Sequence, residues 1–424
     1  MALLRVIAAA DARPARGRVV DASTRSAVEA IVEDVRRRGW SAVVEHAERF
    51  GDVARGAALV FGPEELLRVL HQLPTEQRKA LEAARERISA FAIAQRTCLR
   101  DLEVTIPGGV MGHTFAPVER AGCYAPGGRY PLPSSVLMTA CTARAAGVRE
   151  VWVASPRPAG VTLAAAALAG VDGFLAIGGA QAIGALAYGA GEVPACDAVV
   201  GPGSRWVTAA KQLVSGLVAI DMLAGPSELM ILADDTADAR VVAADILAQA
   251  EHDIDAVPML VTTDASLPAR VEVELVRQLT SLSTASTAIQ ALSNGFTAIA
   301  NDLEDAIECA DRWAPEHVEI QMKDAATLAR RLSHYGALFI GARAAEVLGD
   351  YGLGPNHTLP TGGTSRSYGG LSVVNFLRCR TYIRMDSELS EQARDELHLL
   401  YAQTAAIARM EGLEAHALAA EARR

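Results

Sequence analysis

Aromatic residues are scarce: Phe, Trp and Tyr make up 5% of the 424 residues, against 35 glycines. A chain poor in large rings and rich in Gly and Ala suits α/β units, whose tight βα turns and close helix-on-sheet packing favour small side chains. Positive charge is not in excess either. The 40 Lys and Arg face 50 Asp and Glu for a net charge of −10, which excludes a nucleic-acid-binding domain held by bulk positive charge. No run of about 18 apolar residues is free of charge, the best candidate being Val161 to Val171, so no membrane span is expected. The six cysteines, Cys98, Cys123, Cys141, Cys196, Cys309 and Cys379, include no CxxC pair and read as free thiols of a reducing compartment. Arg5 interrupts a weakly apolar start that no cleavage site follows, so the expected location is the cytoplasm. What is present is ordinary for a globular protein. Half the residues are apolar and 21% are charged, ample for a large core and, at about 150 residues per domain, for two or three domains.

Organisation follows from periodicity. From Thr24 to Arg96 apolar positions recur at helical spacing, as in Val28, Ile31, Val32 and Val35, and again in Leu66, Leu67 and Leu70 behind Pro63 at a helix start. After Gly108-Gly109 the texture changes to short apolar runs followed by Gly and Ala-rich helical stretches: Val151 to Ala154, Phe174 to Ile177, Ala198 to Val200. A second series comprises Leu229 to Leu232, Met259 to Thr262, Phe296 to Ile299, Val318 to Ile320 and Ala337 to Ile340. Such alternation predicts parallel sheets with crossover helices, and two series predict two α/β layers rather than one barrel, with the chain crossing near Gly225-Pro226. Glu388 to Met410 reads as one polar, Ala-rich helix, followed by Gly412 and a short tail helix.

Several clusters could carry chemistry. Gln249, Glu251, His252 and Asp253 end a helix expected to start near Thr236, with Val241, Val242, Ile246 and Leu247 as its buried stripe. Gln249 and His252, three apart, share a face, and the negative helix C-terminus would favour a cation; on spacing alone a polar helix end in water is the plainer reading. Ala314-Pro315-Glu316-His317 sets an acid beside a base just before a strand, a pair suited to moving protons at two steps, or a solvated turn. Gly349-Asp350-Tyr351-Gly352-Leu353-Gly354-Pro355-Asn356-His357 reads as a ligand-lining loop. The dinucleotide fingerprint GxGxxG is absent: Gly201-Pro202-Gly203-Ser204-Arg205-Trp206 lies between strand and helix but ends in Trp206. Gly178-Gly179-Ala180-Gln181 has the same placement, so its helix N-terminus could meet a phosphate or another polar group, or be a tight turn. Glu411 and His416 are unremarkable alone. His46, His71, His113, His334 and His398 have no neighbouring ligand types.

In order and spacing these stretches resemble the histidinol dehydrogenase family over roughly Val28 to Ala420. The most specific segments are Cys123 to Gly128 (CYAPGG), Gly178 to Ile183, Asp221 to Glu228 (DMLAGPSE), Gln249 to His252 (QAEH), Ala314 to His317 (APEH), Gly349 to Pro360 (GDYGLGPNHTLP) and Glu411 to His416 (EGLEAH). The resemblance implies two incomplete Rossmann-like α/β domains with a helical N-terminal segment and a small C-terminal helical tail. Residues 1–122 and 230–372 would form the first domain with the N-terminal helices, 123–229 the second, and 373–424 the tail that completes the partner's site in a homodimer. It implies Zn2+ held by Gln249, His252, Asp350 and, from the other copy, His416, a nitrogen-and-oxygen donor set suited to that ion.

The implied chemistry is a four-electron oxidation of an amino alcohol through the aldehyde to the acid, reducing two NAD in turn. His317 would take the alcohol proton and Glu316 would activate water for the second step, while the metal positions the substrate. Ser227, His357 and Glu411, with His317 and the metal ligands, match substrate-lining positions, and Tyr124 and Gln181 match NAD-contacting ones. The third NAD position, usually Asn, is Ser204 here, shorter and lacking one donor–acceptor pair. Arg129-Tyr130 after the Pro-Gly-Gly turn also resembles relatives that oxidise sulfonated diols, where an arginine could pair with an anion. Oxidation of L-histidinol is the expected activity; a paralogue acting on another small alcohol is the alternative.

Overall fold

The computed structural model describes residues 3–14, 20–54, 56–127 and 130–423. Two six-stranded sheets carry most of the chain. The first is wholly parallel where paired and orders Arg5–Ala8, Phe296–Ile299, Val257–Thr262, Glu228–Ala233, His317–Gln321 and Ala337–Ile340 side by side. The second orders Val60–Phe61, Gly173–Leu175, Glu150–Ala154, Arg120–Tyr124, Ala198–Val200 and Ala219–Ile220, with only the short Val60–Phe61 strand antiparallel. Both predicted series of strands are present, and the α/β class holds.

Burial follows from strand alternation. In the first sheet Leu229, Ile231 and Ala233 point to one face, under the helices that carry Val242, Ile246, Val271 and Leu275. Met230 and Leu232 point to the other, under Ile307, Ala310, Trp313 and Leu328. A strand covered on both faces must be apolar at every position, as Glu228–Ala233 nearly is. Its single acid, Glu228, opens the strand at the sheet edge.

The chain separates into two compact units, Met1–Arg96 with Val118–Phe376, and Thr97–Pro117 with Leu377–Arg424; both sheets above belong to the first. The N-terminal helices differ from expectation. Val28, Val32 and Val35 of helix Ala22–Arg38 and Ala42 and Val43 of helix Trp40–Arg49 pack with Leu175, Ile183 and Leu186 on the second sheet, not on the first. Only Arg5–Ala8 joins the first sheet. The boundary expected at 122/123 falls inside strand Arg120–Tyr124, and that at 229/230 inside strand Glu228–Ala233. Residues 373–424 are not helical throughout. Leu377–Met385 is a strand that pairs with Gly109–Pro117, which in turn pairs with Leu102–Ile106, in a three-stranded antiparallel sheet of the second unit.

Candidate active site

Three segments converge at the N-terminal edge of the first sheet. Strands Glu228–Ala233 and His317–Gln321 run parallel with Leu229 opposite His317, so Glu228 and Glu316 stand at the same edge. A helix that crosses over between parallel strands returns to the edge where the next one begins. Helix Ala239–Ala250 therefore delivers Gln249 and His252 there from its C-terminal end. The helix starts at Ala239 rather than near Thr236, because Asp234 accepts hydrogen bonds from the Thr236 N–H and hydroxyl, and Asp238 caps the first turn. Ala314 ends the preceding helix at φ 56°, a left-handed conformation costing an Ala about 1 kcal/mol, and turns the chain into Pro315-Glu316-His317. Gly336 is required behind that turn, since a Cβ would lie 2.5 Å from the Glu316 carbonyl oxygen.

Glu316 and His317 share one neighbouring segment. The Ser227 hydroxyl donates to Glu316 Oε2 at 2.7 Å and the Glu228 N–H donates to the same oxygen at 2.9 Å. His317 Nδ1 lies 3.0 Å from the Glu228 carbonyl oxygen, which assigns the proton to Nδ1 and leaves Nε2 as an acceptor. Burial holds His317 down to about 4, so it is a neutral imidazole at neutral pH. Burial also raises Glu316 well above the usual carboxylate range, against the two hydrogen bonds that favour its ionised form.

The remaining polar groups cluster around Asp350, carried by the short helical turn Leu348–Gly352. Asp350 Oδ2 is 3.7 Å from His252 Nε2 and Oδ1 is 3.5 Å from His357 Nδ1; burial lowers His357. The His357 loop is tied down by Asn356, which donates to the Met138 carbonyl oxygen at 2.8 Å. Candidate ligand atoms of His252, Glu346 and Asp350 all lie within 4.8 Å of one another. Gln249 is fully buried, yet neither its amide nitrogen nor its amide oxygen has a hydrogen-bond partner. An orphaned buried amide costs about 1–3 kcal/mol per group, and a cation taken by its oxygen would offset part of that cost. The donor set therefore fits a divalent metal.

At the C-terminal edge of the second sheet, where open α/β sheets bind ligands, three turns meet. Tyr124 is buried and its hydroxyl accepts the Gly179 N–H at 3.2 Å. Asp52 Oδ2 accepts from Gly178 N at 3.1 Å and from Gln181 Nε2 at 2.9 Å. Two N–H groups of this helix start are thus satisfied within the protein, which argues against the phosphate role considered for Gly178-Gly179. Gly201 takes φ 119°, and a Cβ there would sit 2.0 Å from the Tyr124 carbonyl oxygen. Its N–H donates to Asp221 at 2.7 Å and its carbonyl accepts from Lys211 Nζ at 2.9 Å, a buried ion pair bracing the turn. Ser204 follows, exposed, at the start of helix Arg205–Val214. Glu411 and His416 belong to the second unit: Glu411 ends helix Glu391–Met410 and His416 lies on helix Glu414–Glu421, both exposed. Arg129 lies outside the described residues.

Over residues 15–424 the chain matches the model of the family described as Histidinol dehydrogenase. The chain belongs to the histidinol dehydrogenase family. It is similar to the histidinol dehydrogenase of Thermus thermophilus, 45% identical over 96% of this chain and 97% of that protein. It also resembles that of Aquifex aeolicus, 40% identical over 96% and 94%. A crystal structure of histidinol dehydrogenase from Elizabethkingia anophelis superposes with a TM-score of 0.91 at 29% identity, covering all of this chain and 98% of that one. This member is accordingly an enzyme, an oxidoreductase acting on a small molecule. No helix among its described residues is long and apolar enough to cross a membrane.

Two site residues of this family member escaped the sequence reading. Glu346 is buried with both carboxylate oxygens unpartnered, and Oε1 lies 3.4 Å from His317 Nδ1. Its spacing of four from Asp350 was the available signal. Asp52, which orients Gln181, sits in an unremarkable Phe-Gly-Asp stretch with no signal at all.

Proposed function

We propose that this chain oxidises L-histidinol through L-histidinal to L-histidine, passing two hydrides in turn to NAD+ with Zn2+ in the site. The protein works in the cytoplasm as a homodimer in which each copy's His416 and Glu411 serve the other copy's site. The observation that carries this reading is the pairing of a neutral, buried imidazole with a buried carboxyl on one backbone segment, beside an orphaned amide suited to a cation. Gln249, His252, Asp350 and His416 would hold the metal, and Tyr124, Gln181 and Ser204 would line the dinucleotide. Zinc, when bound, orients the substrate through its nitrogens, and NAD+, when bound, accepts the hydride of each oxidation.

The chain's own groups supply the proton chemistry. With Nδ1–H committed to the Glu228 carbonyl, His317 Nε2 takes the alcohol proton in the first oxidation. Glu316, held by Ser227 and the Glu228 N–H through one oxygen, keeps the other free to draw a proton from the water that hydrates the aldehyde. Ser227 and His357 line the substrate pocket. Gln181 has its N–H2 engaged by Asp52 and so offers its carbonyl oxygen to the cofactor. The test is NADH formed per L-histidinol consumed by zinc-loaded protein. Two per substrate is expected; no turnover with zinc confirmed bound refutes the substrate assignment.

A further inference from the structure

Behind the site, on the first sheet, lies a buried polar network that the chemistry above does not use. Gln321 Nε2 donates to Asp245 Oδ2 at 2.8 Å and to Glu319 Oε2 at 3.1 Å. Glu319, 1% exposed, uses its other oxygen to accept the Glu346 N–H at 2.6 Å, and its carboxyl is hydrogen-bonded to that of Asp245. Asp245 stands one helical turn before Gln249, and Glu346 stands four residues before Asp350. Glu319 itself lies two residues along the strand from His317. One side chain therefore touches both segments that bring candidate metal ligands to the edge of the sheet.

Polar groups so deep are costly, and well-packed apolar residues would serve stability as well or better. What an apolar residue could not do is fix the angle of helix Ala239–Ala250 and the start of the Asp350 segment through directed hydrogen bonds. We propose that Glu319 is a positioning residue for the metal site, setting the register of Gln249 and His252 against Asp350. Burial and the neighbouring Asp245 raise the Glu319 carboxyl above the usual carboxylate range. The proposal rests on the metal reading given above.

Glu319→Gln keeps the two bonds that join the segments, its oxygen accepting from Glu346 and its N–H2 donating to Asp245, and gives up the one it accepts from Gln321 Nε2; Glu319→Met keeps the volume and removes all three. Zinc binding by the full chain, measured with zinc alone in competition with a chromogenic chelator, separates them. Glu319→Gln should bind within about 2-fold of the parent, whereas Glu319→Met should bind about 10–100-fold more weakly, the loss typical when groups supporting metal ligands are removed. The KM for the alcohol should rise in Glu319→Met while the KM for NAD+ stays. Parent-like zinc affinity in Glu319→Met overturns the proposal, as does a Glu319→Gln variant as weak as Glu319→Met. Should Glu319→Met fail to fold, Asp245→Leu cuts the same link from the helix side, and unchanged zinc affinity there overturns it. A parent chain that takes up no zinc overturns the metal reading and this proposal together; a parent that binds zinc beside an unaffected variant overturns this proposal alone.

Discussion

Replacing Gln249 by Leu should make the zinc-free protein more stable and the zinc-bound protein less so. The amide is fully buried with both polar atoms unpartnered, each carrying a desolvation cost of about 1–3 kcal/mol. Leu fills nearly the same volume without that cost. Allowing for imperfect packing, we expect a gain of about 2 kcal/mol in the presence of a chelator. At about 2.1 cal/mol/K per residue, melting a chain of this length has an entropy of about 0.9 kcal/mol/K, so the gain is about 2 °C in Tm. Zinc at 100 times its Kd should stabilise the parent by about 2.7 kcal/mol, about 3 °C, and should give the variant little. Paired thermal melts with EDTA and with zinc read both effects without any enzymatic turnover. A variant that melts below the parent in EDTA would show the amide to be an ordinary core residue. A full zinc-dependent shift in the variant would remove Gln249 from the ligand set.

Three further outcomes follow from the geometry. Ser227→Ala removes one of two donors to Glu316; a hydrogen bond to a charged group is worth about 1.5–3 kcal/mol, so oxidation of added aldehyde should slow about 10–100-fold while alcohol oxidation, run through His317, falls less, and equal losses would refute the division of roles. The same half-reaction should accelerate as pH rises and Glu316, held high by burial, ionises, whereas protonation of His317, held to about 4, should cost nothing above about pH 5; a flat profile for the aldehyde step would contradict the Glu316 assignment. Ser204→Asn supplies a longer side chain with an added donor–acceptor pair and should lower the KM for NAD+ without moving that for the alcohol, and an unchanged NAD+ KM would show that Ser204 does not touch the cofactor.

Much of this molecule is legible in its amino-acid sequence. Eight of the twelve strands in the two six-stranded sheets announce themselves as short apolar runs because burial on two faces leaves no room for alternation, whereas Val60–Phe61, Arg120–Tyr124 and Ala219–Ile220 gave no such signal. Gln249, His252, Glu316, His317, Asp350 and His357 were legible as local clusters, since the N-terminal edge of a parallel sheet gathers helix ends and strand starts that motifs happen to straddle. What escaped was long-range. Arg5–Ala8 shows no strand signal strong enough to predict its pairing with Phe296–Ile299, and nothing in residues 22–49 says which sheet they cover. Leu377–Met385 does alternate, with Arg378, Arg380 and Arg384 against Leu377, Cys379 and Ile383, a period of two obscured by the helix that follows. Its exposed faces lack the apolar contrast that burial imposes. Glu319 and Asp52 act through other side chains, and such support leaves no local pattern.

The pairing of Ala8 with Ile299 also sets a schedule for the ribosome. Every strand of the second sheet has been made once Ile220 leaves the exit tunnel, so that layer can close early, with the N-terminal helices already available to cover it. The first sheet must wait, its earliest-made strand held open until Phe296–Ile299 appears and its edge unfinished until Ile340. At about 5–20 residues per second Arg5–Ala8 waits about 15–60 s for its partner, and meanwhile it and the strands from Glu228 onward offer unpaired edges to any neighbour. Codon usage and chaperone capture in the stretch after Gly225 should therefore govern the yield of soluble enzyme more than changes near either end of the message.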